Sequence, residues 1–255
     1  MARQRPAPIV DTELLLAIGR GGSKEEIQSL LALGASPSFQ SGSGDTPLLA
    51  SVKKKNYAAF DILLPISNPS IRDCGSLQAI DVAALMGLDR FVQRLIAAGG
   101  SQLLMSEMDQ PRWTPLMHAA TSSHLKCVEL LLPVSSVFDE TSDGSSAFTA
   151  TLSTVSSQGP TVAKMLFDAQ PSLALATGPD GETPLFKAIR CNAASIAEIL
   201  IPLSDLSAII KGQAILDCAK IRAPHIAAAI QSALDSREIA AAAQPGRLHS
   251  RSHSL

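Results

Sequence analysis

One tripeptide, Thr-Pro-Leu, occurs three times at almost equal spacing, and this regularity restricts the fold more than any other feature of the chain. Its copies begin at Thr46, Thr114 and Thr183, so the two intervals between them differ by a single position. Each copy follows a turn-forming stretch. After each copy, always at the same distance, come two apolar residues and then a proline. The second apolar residue and the proline are Leu64-Pro65, Leu132-Pro133 and Ile201-Pro202. Such spacing predicts a repeat architecture, in which every unit packs against its neighbours.

Degenerate copies lie between these three and after them. They begin at Thr12, Gln78, Ser146 and Ala214. Taken together, the starts give a period of about 34 residues, which is typical of repeats built from a pair of helices. Proline-ended units alternate with degenerate ones. The distance from the start to the apolar pair is the same in the second, third, fourth and sixth units and longer in the first and fifth, so only these two carry insertions.

Each unit is predicted to contain two short helices. Threonine is a good N-cap, and proline is favoured at the first helical position because its missing N–H costs nothing there. In the fourth unit, Leu116 and Ala120 fall on one face of the first helix, and Val128 and Leu131 fall on one face of the second. Helices of about ten residues are marginal alone, so we expect the units to be stabilised by stacking.

Composition excludes several classes of protein. Hydrophobic residues make up 46% of the chain and charged residues 17%, which excludes global disorder, and the net charge of -2 gives no field that would attract nucleic acid or an anionic membrane. Charged residues interrupt every apolar stretch before the roughly 18 residues that a membrane span needs. Prolines followed by Asp11 and Glu13 prevent a signal-peptide core. We expect a soluble, cytoplasmic monomer.

Motifs for catalysis or phosphate binding are missing from the sequence. No HExxH, GxSxG, GxGxxG or Walker pattern occurs, and the stretch at 19–24, GRGGSK, lacks the ending of a phosphate loop, which favours a turn between helices. His118, His124 and Cys127 do not have catalytic or metal-ligand spacing. We predict no catalytic residue, no cofactor and no metal.

The cysteines are widely spaced and form no CxxC pair, which argues against a disulfide scaffold and against a zinc site. We expect reduced, mostly buried thiols. They are Cys74, Cys127, Cys191 and Cys218.

The period, the two helices and the signature T-P-L-H-x-A resemble the ankyrin repeat family, in a degenerate, bacterial-type form. The signature reads TELLLA at 12, TPLLAS at 46, QAIDVA at 78, TPLMHA at 114, SAFTAT at 146 and TPLFKA at 183. The resemblance implies an all-α, ankyrin-type helical repeat solenoid of about six repeats plus a C-terminal capping helix pair near 214. The repeat domain would span 8–235, after a flexible N-terminus at 1–7. The end of the last helix and a disordered tail would occupy 236–255.

Two departures from the family pattern affect the expected structure. The family's histidine after leucine is replaced in all six repeats, so its hydrogen-bonding role is lost or moved; the replacements are Leu15, Leu49, Asp81, Met117, Thr149 and Phe186. In the even repeats proline replaces the usual helix ending. Because proline lacks an N–H and disfavours helix in the preceding residue, those second helices should end early or kink.

The resemblance implies a non-enzymatic module that binds a protein or peptide on the concave face of the repeat stack. Carried over from the family, the partner-binding positions are Lys53, Lys54, Leu85, Met86, Trp113, Glu182 and Arg190, with Cys191 beside them. Trp113 is the only tryptophan and the main expected contact, because amphipathic aromatics often dominate interfaces. Packing of Trp113 on the next hairpin is the alternative, and plain solvation is the alternative for the lysines.

Two other functions stay open at this point. The first is a secreted effector that binds host proteins without a readable signal peptide. The second is a hydrolase that uses Cys191 or His118.

Overall fold

The computed structural model describes residues 7–99, 113–141, 144–153 and 157–242. Within them the chain forms seven helical hairpins, which we number as repeats 1 to 7. Their helices are α1 (Ala7–Gly19), α2 (Lys24–Ala32), α3 (Pro47–Lys53), α4 (Tyr57–Leu63), α5 (Ala79–Leu85), α6 (Asp89–Gly99), α7 (Pro115–Thr121), α8 (Leu125–Leu131), α9 (Ala147–Ser153), α10 (Gly159–Ala169), α11 (Pro184–Arg190), α12 (Ala194–Leu200), α13 (Ile215–Arg222) and α14 (Pro224–Ala242). This confirms the prediction of an all-α repeat fold.

The predictions for the two chain ends concern segments that the structure describes only in part. The flexible N-terminus was expected at 1–7 and the disordered tail after the last helix, and positions 1–6 and 243–255 lie outside the described residues. The last helix does continue beyond 235, because α14 ends at Ala242.

The chain divides into two compact units, Met1–Gln170 and Pro171–Leu255. In the N-terminal unit the first helices α1, α3, α5, α7 and α9 contact one another in chain order. The second helices form the other layer, where α2 contacts α4, and α8 contacts both α6 and α10. Within this unit, each hairpin therefore buries its apolar faces against the adjacent hairpins.

The C-terminal unit contains repeats 6 and 7. There α11 contacts α13, and α12 contacts α14. A short antiparallel hairpin precedes α13, with β1 (Ile209–Ile210) paired to β2 (Gln213–Ala214). A 3-10 helix at Pro171–Leu175 opens the unit and contacts α11.

The threonines of the three Thr-Pro-Leu copies cap their helices as predicted. The hydroxyl of Thr46 accepts from the N–H of Leu49 at 3.2 Å, and the other two copies repeat this bond, at 3.3 Å for Thr114 and 3.4 Å for Thr183. Each following proline occupies the first turn, where no N–H is needed. In repeat 1 the prediction was wrong, because α1 begins at Ala7 and Thr12 lies inside it.

The degenerate repeats replace the family's histidine with other acceptors. Asp81 accepts from the N–H of Gln78 at 2.9 Å, and Thr149 accepts from the N–H of Ser146 at 2.7 Å. Each bond ties the third helical residue back to the N-cap, as in a capping box. The histidine's role has therefore moved to aspartate and threonine in repeats 3 and 5.

Proline shortens the second helices of the even repeats, as predicted. The helices α4, α8 and α12 have seven residues each, whereas α6 and α10 have eleven. Each short helix continues into a three-residue 3-10 turn that contains the proline. We call these segments the proline turns; they are Leu64–Ile66, Leu132–Val134 and Ile201–Leu203.

The first helices of repeats 1, 2, 3, 4 and 6 are followed by a residue in the left-handed region. In repeats 2, 4 and 6 that residue is not glycine: Lys55, Ser123 and Asn192 all have φ of 55°. The next N–H bonds back into the helix, as from Asn56 to the carbonyl of Ser51 at 2.8 Å. The tight reversal into the second helix requires this conformation, which costs a non-glycine residue roughly 1–2 kcal/mol.

Replacing Lys55 with glycine should raise the free energy of unfolding by about 0.5–1 kcal/mol, because the left-handed strain is removed at the cost of some backbone entropy. Urea denaturation measures the change. Lys54→Gly is the matched control, because Lys54 has φ of -92° and loses the same charge. Equal effects of the two substitutions would contradict the assignment of strain to Lys55.

The core of repeat 4 depends on Leu131, which has no exposed surface. Leu131→Ala should lower the free energy of unfolding by about 2–5 kcal/mol, because it leaves a cavity between stacked hairpins. Glu129→Ala on the same helix is the control, with chemical denaturation as the measurement. Glu129 is exposed and pairs with Lys126, so its loss should change stability by less than about 0.5 kcal/mol.

Candidate partner-binding surface

The predicted contact residues of the N-terminal unit lie at the ends of its first helices. Lys53 is the last residue of α3 and Leu85 is the last residue of α5, with Lys54 and Met86 directly after them. Trp113 directly precedes Thr114, the N-cap of α7. We call Lys54, Leu85, Met86 and Trp113 the first-helix surface.

Leu85 and Met86 are exposed at the C-terminal end of α5, at 39% and 36% of their surface. The repeat that follows fixes this end, because His124 Nε2 lies 3.1 Å from the carbonyl oxygen of Leu85. Gly87, with φ of 68°, lies under the same ring, and a Cβ there would come within 2.6 Å of His124 Nδ1. The two apolar side chains are therefore held at the surface by a rigid turn.

Trp113 is 37% exposed, and its ring centroid lies 5.5 Å from that of His118 in the same repeat. Burial lowers the pKa of His118 to about 4, so its imidazole is neutral at pH 7. The tryptophan thus rests on an uncharged ring of its own repeat and keeps over a third of its surface free. Trp113 is therefore partly exposed, and the aromatic contact that the structure describes for it lies within its own repeat.

Trp113 is not an immediate neighbour of the Leu85-Met86 pair along the stack. Trp113 precedes α7, whereas Leu85 is bound by His124, which follows α7. The seven residues of α7 separate the two positions by about 10 Å of helix length. The first-helix surface therefore has two apolar points, one at each end of the first helices.

Lys53 serves the repeat stack itself. Its ammonium nitrogen lies 2.6 Å from Asp45 Oδ1 and 2.8 Å from Asp73 Oδ2, which joins the loops of repeats 2 and 3. Partial burial opposes the charged form of Lys53, but the two carboxylates outweigh it and raise the pKa. Of the two predicted lysines, Lys54 is exposed, whereas Lys53 is partly buried and its ammonium group is held by two carboxylates.

Glu182 is likewise internal, in the C-terminal unit. Only 2% of its side chain is exposed, and its carboxylate oxygens lie 2.8 Å from Lys211 Nζ and 3.1 Å from Arg190 Nη2. A base of its own repeat and a lysine of the next loop enclose the carboxylate. Arg190, at 49% exposure, keeps a free face.

These ion pairs share a register that sequence reasoning missed. In repeats 2 and 6 an acid directly precedes the capping threonine and pairs with the base at the end of the same first helix, giving Asp45 with Lys53 and Glu182 with Arg190. Repeat 4 has Trp113 and Thr121 at these two positions. The alignment of the three Thr-Pro-Leu copies contained this signal. It marks Trp113 as the exception to a structural pattern.

The thiols are divided between core and surface. Cys127 and Cys218 are buried, and burial raises the pKa of Cys127 to about 11. Cys74 and Cys191 are exposed, so the expectation of mostly buried thiols was correct for only half of them. Within the described ranges no group of three or more His, Cys, Asp or Glu side chains could hold a metal ion. The glycine-rich stretch after α1 is a turn into α2, whose N-cap is Ser23.

Comparison with known proteins agrees with this architecture. The family model of the ankyrin repeat matches residues 112–138, which include α7 and α8. A similar solved structure is that of EF0377, an ankyrin repeat protein, with a TM-score of 0.62, 17% sequence identity, and coverage of 73% of this chain and 95% of that chain. A search of curated proteins gives no match.

The sequence therefore contains one stretch that the ankyrin repeat model recognises, and the structure has the ankyrin-repeat fold that the sequence indicated. Ankyrin repeats are in general protein–protein interaction modules, and the fold is typically not enzymatic. No helix among the described residues is both long enough and apolar enough to cross a membrane.

The partly buried imidazole of His118 should make the stability depend on pH. Unfolded histidine titrates near 6.5 and folded His118 near 4, so the unfolded chain binds the extra proton between these values. The free energy of unfolding should therefore decrease as the pH falls through this window, by at most about 3 kcal/mol. Denaturation of the wild type and of His118→Gln from pH 7 to 4 measures it, and the variant should lose less. His225→Gln, at an exposed site, should behave like the wild type.

Proposed function

We propose that this chain binds a protein or peptide partner through the first-helix surface of its N-terminal unit, on the side that ankyrin stacks present as concave. Trp113, Leu85 and Met86 would be the anchors and Lys54 the flanking charge. The observation that carries the proposal is the exposure of Trp113. It stands where the two sister repeats place an acid that is tied to a base of the same repeat.

The exposed groups define the partner's chemistry. Apolar anchors at the two ends of the first helices would suit an apolar or aromatic side chain at each end of the bound segment. The charge beside α3 is positive, because Lys54 and Lys55 are exposed while Lys53 is neutralised by two carboxylates. An acidic group in the partner would match this end.

A hydrolase that uses Cys191 or His118 receives less support. His118 is a neutral ring that packs on Trp113, and the thiol closest to it in sequence, Cys127, is a core residue with a raised pKa. Among the described residues no hydrogen bond joins the Cys191 thiol to a histidine. None of these groups therefore resembles an activated nucleophile or its base.

Other expectations from the sequence stay predictions. Arg190 is a second, separate candidate contact in the C-terminal unit, where it keeps a free face. A secreted effector would use the same first-helix surface as a resident binding protein. The cytoplasmic location and the monomeric state also stay predictions.

Trp113→Ala should remove the partner that the wild-type chain captures from a lysate of its source cells, as identified by mass spectrometry. Truncation of a central tryptophan costs at least about 2 kcal/mol, so the dissociation constant of the isolated complex should rise by roughly 30-fold or more. Leu85→Ala should weaken the same complex.

Ile239→Ala is the matched control, because Ile239 is 71% exposed on α14 and is not one of the residues of the first-helix surface. It should leave capture unchanged. Undiminished binding of the same partner by Trp113→Ala, in a variant whose thermal unfolding matches the wild type, would refute the proposed surface.

A further inference from the structure

The three proline turns share one backbone conformation. The residue at the start of each turn has φ between -53° and -49°, and the serine after it has φ between -115° and -102° with ψ between 153° and 157°. The sequences Leu-Pro-Ile-Ser, Leu-Pro-Val-Ser and Ile-Pro-Leu-Ser therefore present their carbonyl groups in the same way. A group that binds the carbonyls of one turn should therefore also fit the other two.

In repeat 6 the turn is bound by an arginine of the same chain. Arg237, on α14, donates from Nη1 to the carbonyl of Ser204 at 3.1 Å, and from Nη2 to the carbonyls of Ile201 at 3.2 Å and Pro202 at 3.4 Å. One planar guanidinium thus satisfies three carbonyls at the end of a helix, where the helix dipole favours positive charge. The hydroxyl of Ser204 has no hydrogen-bond partner among the described residues, so Arg237 binds the backbone of the turn and not this side chain.

In repeat 2 the corresponding turn lines a cavity of about 450 Å³. Its walls include Leu64, Pro65 and Ser67 from the turn side, Asp61 from α4, and Arg94, Ala97 and Ala98 from α6. Arg94 Nη1 lies 2.9 Å from Asp61 Oδ1. Among the residues that the structure describes, no side chain donates to the carbonyls of Leu64, Pro65 or Ser67, which correspond to the three that Arg237 binds.

We propose that this cavity binds the guanidinium group of an arginine side chain from a partner peptide, which would occupy the place that Arg237 holds in repeat 6. The carbonyls of Leu64, Pro65 and Ser67 accept its N–H groups. Asp61, whose side chain is 44% exposed, balances the charge of Arg94 in the same wall, so the cavity carries no net charge that would repel the incoming guanidinium. This site is independent of the first-helix surface, and it would add a second, arginine-specific contact to a bound protein.

Arginine fits this site better than lysine. The three acceptors follow one another along a turn, and a fixed fork of N–H donors can reach all of them at once, as Arg237 does, whereas an ammonium group is a point charge. The cavity volume lies within the range of about 300–1,000 Å³ that is usual for ligand pockets. The corresponding cavity in repeat 4 is only about 190 Å³, so repeat 2 is the better host.

The test is an NMR titration of the full chain, labelled with ¹⁵N, using N-acetyl-arginine methylamide as the probe and its lysine analogue as the comparison. The arginine probe should shift the amide signals of Ile66, Ser67 and Ala98 in a saturable way, and the lysine probe should bind at least threefold more weakly. Asp61→Asn leaves the Arg94 guanidinium unpaired in the cavity wall, so it should also weaken arginine binding by threefold or more. Equal shifts with both probes, or no saturable shift at these amides, would overturn the proposal.

Two variants separate the cavity from general surface binding. Ala98→Phe fills the cavity from an exposed position and should abolish the shifts, whereas Ala32→Phe, at an exposed alanine of α2, should retain them. Arg237→Ala removes the internal guanidinium, so the probe should now shift the amide signal of Ser204. Persistent binding in Ala98→Phe would place the probe elsewhere, and an unresponsive Ser204 in Arg237→Ala would show that the turn does not itself recognise guanidinium.

Discussion

Stacking between hairpins is the constraint on which this structure depends. The first helices α3, α5, α7 and α11 have seven residues each, about two turns, which is too short for an isolated helix to be stable in water. Their buried faces acquire partners from other hairpins of the same unit, as when α5 contacts both α3 and α7, and α11 contacts α13. Capping threonines and left-handed ends define the limits of each helix, but inter-repeat burial holds the helices in place.

The same constraint explains which polar residues are available for binding. Ion pairs between successive repeats hold the loops together, such as those of Lys53 with Asp73 and of Glu182 with Lys211. A charged residue at a hairpin tip is therefore often part of the stack. Trp113 has no charge to contribute to such a pair, and it packs on the neutral ring of His118. Exposure at this position depends on the chemistry of the residue as well as on its register.

The sequence predicted the repeats and their helices well because these features are local. Thr46, Thr114 and Thr183 are N-caps, and the proline after each of them marks the start of a first helix. A later proline in the same repeat marks the end of the second helix, as in the turn after α4. The surface was predicted less well, because it depends on contacts between residues far apart in the chain. Lys53 and Asp73, or Glu182 and Lys211, are too widely separated for any local pattern to reveal the ion pair. The predicted helix start in repeat 1 was wrong, because α1 begins at Ala7, five residues before the start that the spacing of the other repeats suggests.

The alternation of unlike repeats gives the N-terminal unit a larger structural period of two hairpins. In repeats 2 and 4 the N-cap residue of the second helix contacts a backbone carbonyl of the preceding, odd-numbered repeat. Asn56 donates to the carbonyl of Ile18 at 3.3 Å, and His124 lies 3.1 Å from the carbonyl of Leu85. Repeat 3 contacts the preceding repeat through its longer second helix, because α6 packs on the proline turn of repeat 2.

Each proline turn leaves carbonyl groups at a helix end, because proline stops the helix before they acquire intrahelical partners. In repeat 2 the extended helix α6 of the following repeat forms the opposite wall. A cavity at that junction follows from pairing a short second helix with a long one. The alternation that the sequence shows as two kinds of repeat therefore also builds the site proposed for arginine.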